Sequence, residues 1–521
     1  MNLPTTNYFY NITLFKRFYI FFCIIFSLIQ FYLSSSLNDY LIVLKVFFLN
    51  LVTILYCFNN KNFFKFPISF FVIFLSSFIS LGGCIFFKTL EFEHLSKGLY
   101  FPNFTIIFLS ASILIIIMTH FFYVKNNLQN KKNIFYSINK KLGLFDINSK
   151  FLILLGVISI IIMLFGKIQI QETTLTYTRQ AGVPLWFSLS QPFFLFYIIP
   201  FALVFSKFFF KTEVRINKIF IIFLLFVVLI MSLGTNRRDV LFFGFLSVFF
   251  CLIIVFLLNN FEFKKKQKFN FLLILILCLF SYNKLIQFNY IYLYERGYHE
   301  GRSFSQNVIS FKNSLKKSFD NKINFTNIKE EHFGEYSNYY KSIIYDRLSY
   351  IEYSDNLLFF INKIPKNSVT DAKKHLIGRI ISIIPQPIIN LFNKDFKKNK
   401  YIYTTTSSYL AKKYDASWNA NNDIGSFIVE NYLLFGNFFF LSLILFSLIY
   451  FYILDSFYDY KKKTISIFII LFFFTTSLQL GNIFSAASLD ILTTNFRNIT
   501  QTILFYIIIR KIFLIKIQDS K

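Results

Sequence analysis

Twelve apolar stretches run through this 521-residue chain, and a single polar segment of 135 residues, 289–423, interrupts them before the last three. A helix needs about 20 mainly apolar residues to cross a bilayer core of about 30 Å. The stretches lie at 18–35, 40–58, 66–87, 104–124, 151–167, 185–206, 218–234, 239–258, 269–288, 424–454, 464–484 and 496–515. The fifth and seventh are short, and the tenth is long enough to tilt or to start outside the hydrocarbon. Pro192 and Pro200 predict a kink in the sixth, tolerable where neighbouring helices satisfy the freed carbonyls. Composition leads to the same class. Hydrophobic residues make up 55 % of the chain, with 78 Phe, and charged residues 15 %, against roughly 25 % charged in soluble domains. A soluble fold could not hide that much Phe, Ile and Leu, and neither disorder nor a fibrous repeat suits it. The expected fold is an all-α polytopic membrane protein of about 12 spans.

The formal charge is +28. In a soluble chain that excess would point to nucleic acid; here it follows from the collection of Lys and Arg in cytoplasmic loops, and no nucleic-acid partner is expected. With the N-terminus inside, the short loops divide their basic residues 25 inside to 7 outside. Both termini are therefore expected in the cytoplasm and the polar segment outside. This gives a bundle over 1–288, an extracytoplasmic loop domain over 289–423, and three spans with a short tail over 424–521. Within the loop, Tyr339–Ile361 and His375–Ile389 carry Ile and Leu at helical spacing, the second breaking at Pro385 and Pro387. Each fits either the membrane surface or packing against the bundle.

Several chemistries have no basis here. The cysteines Cys23, Cys57, Cys84, Cys251 and Cys278 all lie in or beside apolar stretches without CxxC spacing, so neither a disulfide framework nor a cysteine metal site is expected. The first apolar stretch follows Lys16 and Arg17 and lacks a small-x-small cleavage site, which reads as an uncleaved span. There is no Walker loop, zinc-protease motif or serine elbow. Glu91-Phe92-Glu93-His94 is a compact acid/His cluster in a short outer loop, a divalent-ion site or, more simply, a solvated turn.

Arginine carries the strongest functional signal. Only 11 of the 54 basic residues are Arg, so an Arg in a chain that defaults to Lys invites a chemical reason. Arg17, Arg215 and Arg510 fall inside; Arg179, Arg237, Arg238, Arg296, Arg302, Arg347, Arg379 and Arg497 fall outside, where positive charge is disfavoured. A guanidinium fork grips phosphate bidentately and keeps its charge. Arg237 and Arg238 stand together in the short outer turn Gly234–Asp239, opposing the topological bias, and Asp239 can pair with one of them. Glu430, seven residues into the tenth span, is a carboxylate near the membrane face that needs a cation or a wet cavity. His299, His332 and His375 are further acid–base candidates, and Lys45 is the basic residue placed inside a span. Tyrosines crowd the outer segment, Tyr339 and Tyr340 among them; they suit the bilayer interface or stacking on sugar rings.

The pattern resembles bacterial O-antigen and capsule repeat-unit polymerases. The likeness rests on the plan of a dozen spans with one long outer loop before the last three, and on the Asn236-Arg237-Arg238-Asp239 turn. It rests further on the stretch Asp423–Gly436, in which Glu430 and Tyr432 precede Phe435-Gly436. Where the family often has Ile-Pro-Arg, this chain has Ile384-Pro385-Gln386-Pro387, and Arg379 is the substitute at hand. The resemblance implies a metal-independent, cofactor-free glycosyltransferase of the bacterial cytoplasmic (inner) membrane. Its donor would be a glycan on undecaprenyl pyrophosphate, and its partners membrane lipids and a polysaccharide chain-length regulator. Arg237, Arg238, Arg296, Arg302 and Arg379 would hold pyrophosphate. Arg347 and Glu430 would be catalytic, with Tyr339, Tyr340 and Tyr432 on the glycan. An O-antigen ligase shares this layout; a lipid-linked oligosaccharide flippase shares the span count but needs charges along a central path.

Overall fold

The computed structural model describes residues 10–59, 61–129, 133–146, 148–174, 193, 195–234, 238–258, 291, 304–319, 345, 349–361, 365–384, 386–398, 401, 409, 426–476 and 498–519. In chain order the helices are α1 (Tyr10–Leu33), α2 (Leu37–Asn59), α3 (Pro67–Ser77), α4 (Cys84–Leu90), α5 (Pro102–Gln129), α6 (Ile134–Lys141) and α7 (Ser149–Thr174). They continue as α8 (Ile199–Leu203), α9 (Ser206–Phe210), α10 (Lys218–Gly234), α11 (Arg238–Leu258), α12 (Phe304–Phe319), α13 (Ile351–Ile361), α14 (Lys366–Ile381) and α15 (Gln386–Phe392). The last are α16 (Phe427–Phe435), α17 (Phe439–Asp455), α18 (Ile467–Thr476) and α19 (Asn498–Asp519). A two-residue hairpin pairs β1 (Tyr458–Asp459) with β2 (Thr464–Ile465).

Among the described residues, four helical runs are long and apolar enough to cross a membrane: Tyr10–Leu33, Leu37–Phe58, Pro102–Asn127 and Phe427–Asp455. A fifth is reached if Pro67–Gly82 and Cys84–Leu90, bent by 46°, form one span. Shorter apolar helices at Ser149–Leu164, Lys218–Leu233 and Gly244–Leu258 coincide with three more of the expected stretches. The expected span at 269–288 lies outside the described residues, as does the first part of 185–206. Large apolar side chains such as Phe18, Phe21, Leu28, Phe121 and Phe122 face outward on the long helices, as a lipid-embedded bundle requires. The protein is a membrane-embedded helical chain.

Contacts divide the chain into two units: Met1–Phe145 with Asn338–Lys341 and Tyr345–Ile503, and Asp146–Ser337 with Ser342–Ile344 and Leu504–Lys521. The polar segment supplies helices to both. In the second unit α12 packs on α10, with Ile291 and Phe311 buried against Leu233 and Leu315. There too, Gly156 of α7 lies against Pro200, so close that a Cβ would collide with the proline ring. The Ser159 hydroxyl donates to the Phe193 carbonyl, a side chain serving backbone in the region where the prolines predict a kink.

In the first unit the bend between α3 and α4 is a π-helical turn, Phe78–Gly82. Such a turn frees carbonyls from the helical ladder. Asn50 of α2 donates to the Gly82 carbonyl at 3.2 Å, and Tyr350 N–H donates to the Ile79 carbonyl at 2.8 Å. The bend is thus closed partly by the backbone of the polar segment. At the opposite end of this unit, Asp455 terminates α17 and accepts from Ser69 N–H at 3.1 Å and the Tyr123 hydroxyl at 3.0 Å. Ser69 also meets His120 Nε2 at 2.8 Å, and His120 Nδ1 meets the Tyr56 hydroxyl at 2.8 Å. One buried chain of polar groups therefore joins α2, α3, α5 and α17.

Replacing Asp455 by Ala strands the buried Ser69 N–H and leaves the Tyr123 hydroxyl only the Phe451 carbonyl. It is expected to cost about 1–3 kcal/mol, while Asp455→Asn, which keeps an acceptor, costs less. Thermal unfolding of the detergent-solubilised protein checks this, and equal midpoints for the two variants would contradict it.

Candidate functional site

The site is assembled where α16 begins. Ser426 caps the helix by accepting from Val429 N–H at 3.4 Å, and its hydroxyl also meets that of Ser354 on α13 at 2.9 Å. Glu430 follows in the first turn and is wholly buried, with 0 % exposure; Phe427, Ile428, Val429 and Leu434 of the same helix are buried too. A carboxylate suits this position because the helix N-terminus carries partial positive charge. Asn431 donates to the Phe427 carbonyl at 2.7 Å and accepts from Ser442 at 2.8 Å, tying α16 to α17. Between these helices Gly436 adopts φ +58°, ψ −134°. That backbone is close to glycine-only, and a Cβ there would meet nothing within 4 Å. Conformation, and not crowding, explains the glycine of the Phe435-Gly436 pair.

Two helices of the polar segment pack against α16. On α13, Asp355 reaches over to the start of α5: it accepts from Tyr100 N–H, from Phe101 N–H at 3.0 Å and from the Thr105 hydroxyl at 2.6 Å. It thereby serves as a cap supplied from another element to a helix whose own start is Pro102. Burial holds the Asp355 carboxyl above the usual carboxylate range, against the opposing pull of these donors. The other helix, α14, packs on α16 and turns His375 and Arg379 inward, both buried. Tyr409 stacks on His375 at 4.6 Å, and Tyr401 lies over Gly378, where a Cβ would collide with its ring. Two packed helices thus bring a buried carboxylate, Glu430, and a buried imidazole and guanidinium, His375 and Arg379, to one region of the unit.

The same end of the unit carries two ionic contacts. Lys88 of α4, one of the seven basic residues counted outside, is a fully buried helix residue paired with Glu93 at 3.0 Å. Glu93 also takes Lys97 at 2.9 Å. His94 Nδ1 lies 3.2 Å from Asp39 and 2.8 Å from the Ser96 hydroxyl, with Nε2 3.2 Å from Ser34. In the Glu91–His94 stretch, Glu93 is thus spent on lysines of α4 and of the loop that follows, and His94 ties that loop to Ser34 and to Asp39 of α2. Among the described residues no group of three or more His, Cys, Asp or Glu is placed to hold a metal ion.

Of the residues singled out by sequence, Glu430, Arg379 and Tyr432 fall on packed helices of one unit. Tyr432 presents its ring edge-on to Phe108 at 5.2 Å and Phe439 at 5.7 Å. Arg238 opens α11 in the other unit, at a helix end where Asp239 suits the dipole and Arg does not. Its side chain lies outside the described residues, and so do Arg237, Arg296, Arg302, Arg347, Tyr339 and Tyr340. Sequence reasoning missed Asp355 and the Ser354–Ser426 contact. The signal for Asp355 was present: it falls four residues after Ile351 and three before Leu358, a carboxylate on the apolar face of an amphipathic stretch. The stretch His375–Ile389 does break, slightly ahead of the expected place: helix α14 stops at Ile381 and α15 starts at Gln386. Pro387 sits in the first turn of α15, where a missing N–H costs nothing, while Pro385 lies outside the described residues.

Compared with protein-family models, curated proteins and solved structures, the chain matches none.

Two outcomes follow from these contacts. Asp355→Ala is expected to destabilise the first unit by about 1–3 kcal/mol and Asp355→Asn by less, read as shifts in thermal unfolding. The second concerns pH. Burial lowers the His94 imidazole below its ordinary 6.5, with the Asp39 carboxylate opposing. The unfolded chain then takes up the proton first, so this stability is fully present above 6.5 and is lost as pH falls through and below that value. In His94→Gln the fall in melting temperature on acidification should be shallower; an unchanged slope would refute the assignment.

Proposed function

We propose that this chain is an integral membrane glycosyltransferase that polymerises undecaprenyl-pyrophosphate-linked repeat units into O-antigen or capsule at the outer face of the bacterial cytoplasmic membrane. The observation that carries the reading is the wholly buried Glu430 in the first turn of a membrane-length run, at the bundle end covered by helices of the polar segment. A carboxylate buried at such a place is held by compensating groups, and ionisable residues within membrane spans mark substrate and proton sites. The resemblance of Asp423–Gly436 and of the Asn236–Asp239 turn to repeat-unit polymerases supplies the reaction class.

In this reading about twelve spans hold the polar segment outside. Glu430 positions or deprotonates the acceptor hydroxyl. Arginines, with Arg237, Arg238, Arg347 and Arg379 foremost and Arg296 and Arg302 beside them, neutralise pyrophosphate as the glycosidic bond breaks. Tyr339, Tyr340 and Tyr432 contact the glycan. The inward side of Arg379 on α14, next to α16, supports placing anion recognition near Glu430.

The test is surface-glycan length in a deletion strain complemented with wild type, Glu430→Gln, or Arg237→Lys/Arg238→Lys, with membrane expression followed in parallel. Lys keeps the charge and loses the fork. Single capped repeat units in the deletion and in both well-expressed variants are expected. Lipid-linked units accumulating on the cytoplasmic side would instead identify a flippase, and full-length polymerised glycan left on the carrier a ligase. Normal long chains from both variants would remove these residues from the site.

A further inference from the structure

The outward face of α14 changes character along its length. Asn367 and Thr370 are exposed first, then Lys373 and Lys374, and then Ile377, Ile380, Ile381 and Ile384. Helix α15 continues the apolar surface with Ile388, Leu391 and Phe392, the last two 80 % and 87 % exposed. The chain then turns polar again at Asn393, with Lys394 and Lys397 exposed. The apolar corner is thus bracketed on both sides by lysine pairs.

This corner is not a loosely held surface. Gln386 donates to the Phe396 carbonyl at 2.9 Å, and Lys398 Nζ donates to the Ile384 carbonyl at 3.0 Å. Phe396 stacks on Tyr401 at 5.2 Å, and Tyr401 lies on Gly378 of α14. The inward face of the same helix is occupied by His375, Arg379 and Ser382. The fold therefore holds a rigid corner with its apolar side facing away from the protein, on a helix that packs against the first helix of a membrane-length run.

We propose that the α14–α15 corner inserts into the bilayer interface as a wedge. Ile384, Ile388, Leu391 and Phe392 would enter the acyl boundary, and Lys373, Lys374, Lys394 and Lys397 would bind the phosphates of anionic lipids. Its depth order follows from the sequence of exposed residues: Asn367 in water, the lysines at headgroup level, the isoleucines and Phe392 below. Amphipathic helices of this kind bury their apolar face about 5–10 Å into the headgroup and acyl boundary, and basic residues add attraction to anionic lipid. An anionic leaflet fits better than a second protein because the charges ringing the apolar surface are mostly of one sign. The assignment rests on the membrane embedding of the chain and not on the polymerase reading.

The test uses the full chain in nanodiscs of phosphatidylcholine and phosphatidylglycerol, with its two native tryptophans, Trp186 and Trp418, replaced by Phe. Single reporters are then introduced as Asn367→Trp, Ile377→Trp, Ile384→Trp or Leu391→Trp. Lipids brominated on the acyl chain should quench Ile384→Trp and Leu391→Trp strongly, Ile377→Trp less, and Asn367→Trp hardly at all. Aqueous iodide should give the reverse order. With bromine on one lipid only, phosphatidylglycerol should quench Ile377→Trp more than phosphatidylcholine does. That preference should vanish in Lys373→Gln/Lys374→Gln/Lys394→Gln/Lys397→Gln.

Iodide reaching Ile384→Trp as readily as Asn367→Trp would overturn the proposal. Shielding of Ile384→Trp from both quenchers would overturn it as well, by showing that protein covers the corner. Equal quenching by the two lipids would do the same for the anionic assignment. A chain that fails here yet still lengthens glycan leaves the polymerase reading standing.

Discussion

A backbone N–H or C=O left unpaired away from water costs several kcal/mol, and inside a bilayer no solvent can relieve it. The first unit is organised around that constraint. Its helices satisfy themselves along their lengths, so the difficulty gathers at their ends and bends. At the π turn of Phe78–Gly82 the freed carbonyls are taken by the Asn50 side chain and by Tyr350 N–H. At the start of α5 the exposed N–H groups of Tyr100 and Phe101 are taken by Asp355. At the start of α3, Ser69 N–H is taken by Asp455. Each solution comes from an element distant in the chain, so the same bonds that relieve the backbone also decide which helices are neighbours.

This arrangement explains how a polar segment comes to be part of the bundle. Helix α13 attaches through Tyr350 to the bend, through Asp355 to α5, and through Ser354 to the cap of α16. Helix α14 packs beside it on α16, with a buried guanidinium on one face and a lipid-like stripe on the other. In the proposed reading, a helix with these two faces would bring Arg379 to the depth of the lipid phosphates, where a lipid-linked pyrophosphate would lie.

Much of the fold can be read from the chain. The apolar stretches at 18–35, 40–58, 104–124 and 424–454 emerge as long helices because a run of that length has few other ways to bury its backbone. The amphipathic spacing of the two outer stretches likewise gave α13 and α14. Hydropathy could not show the bend at Phe78–Gly82, which depends on a side chain of α2 entering the ladder. Nor could it show Lys88 buried against Glu93, since a charge at the end of an apolar run looks like a loop residue until its partner is placed. For the site, Glu430 was legible because a carboxylate inside a span is rare. Asp355 was not picked out, since its meaning lies in Tyr100 and Phe101, some 250 positions away.

That separation bears on how the protein is made. Helix α5 enters the membrane long before Asp355 exists, and α3 long before Asp455; the second pair is 386 positions apart. During synthesis α3 and α5 must therefore wait in the bilayer with incomplete ends, sheltered by their neighbours or by the insertion machinery. They lock only as the last third of the chain arrives. A ribosome that stalls in the polar segment would leave a bundle already inserted but not yet closed, and membrane quality control would have open helix ends to find.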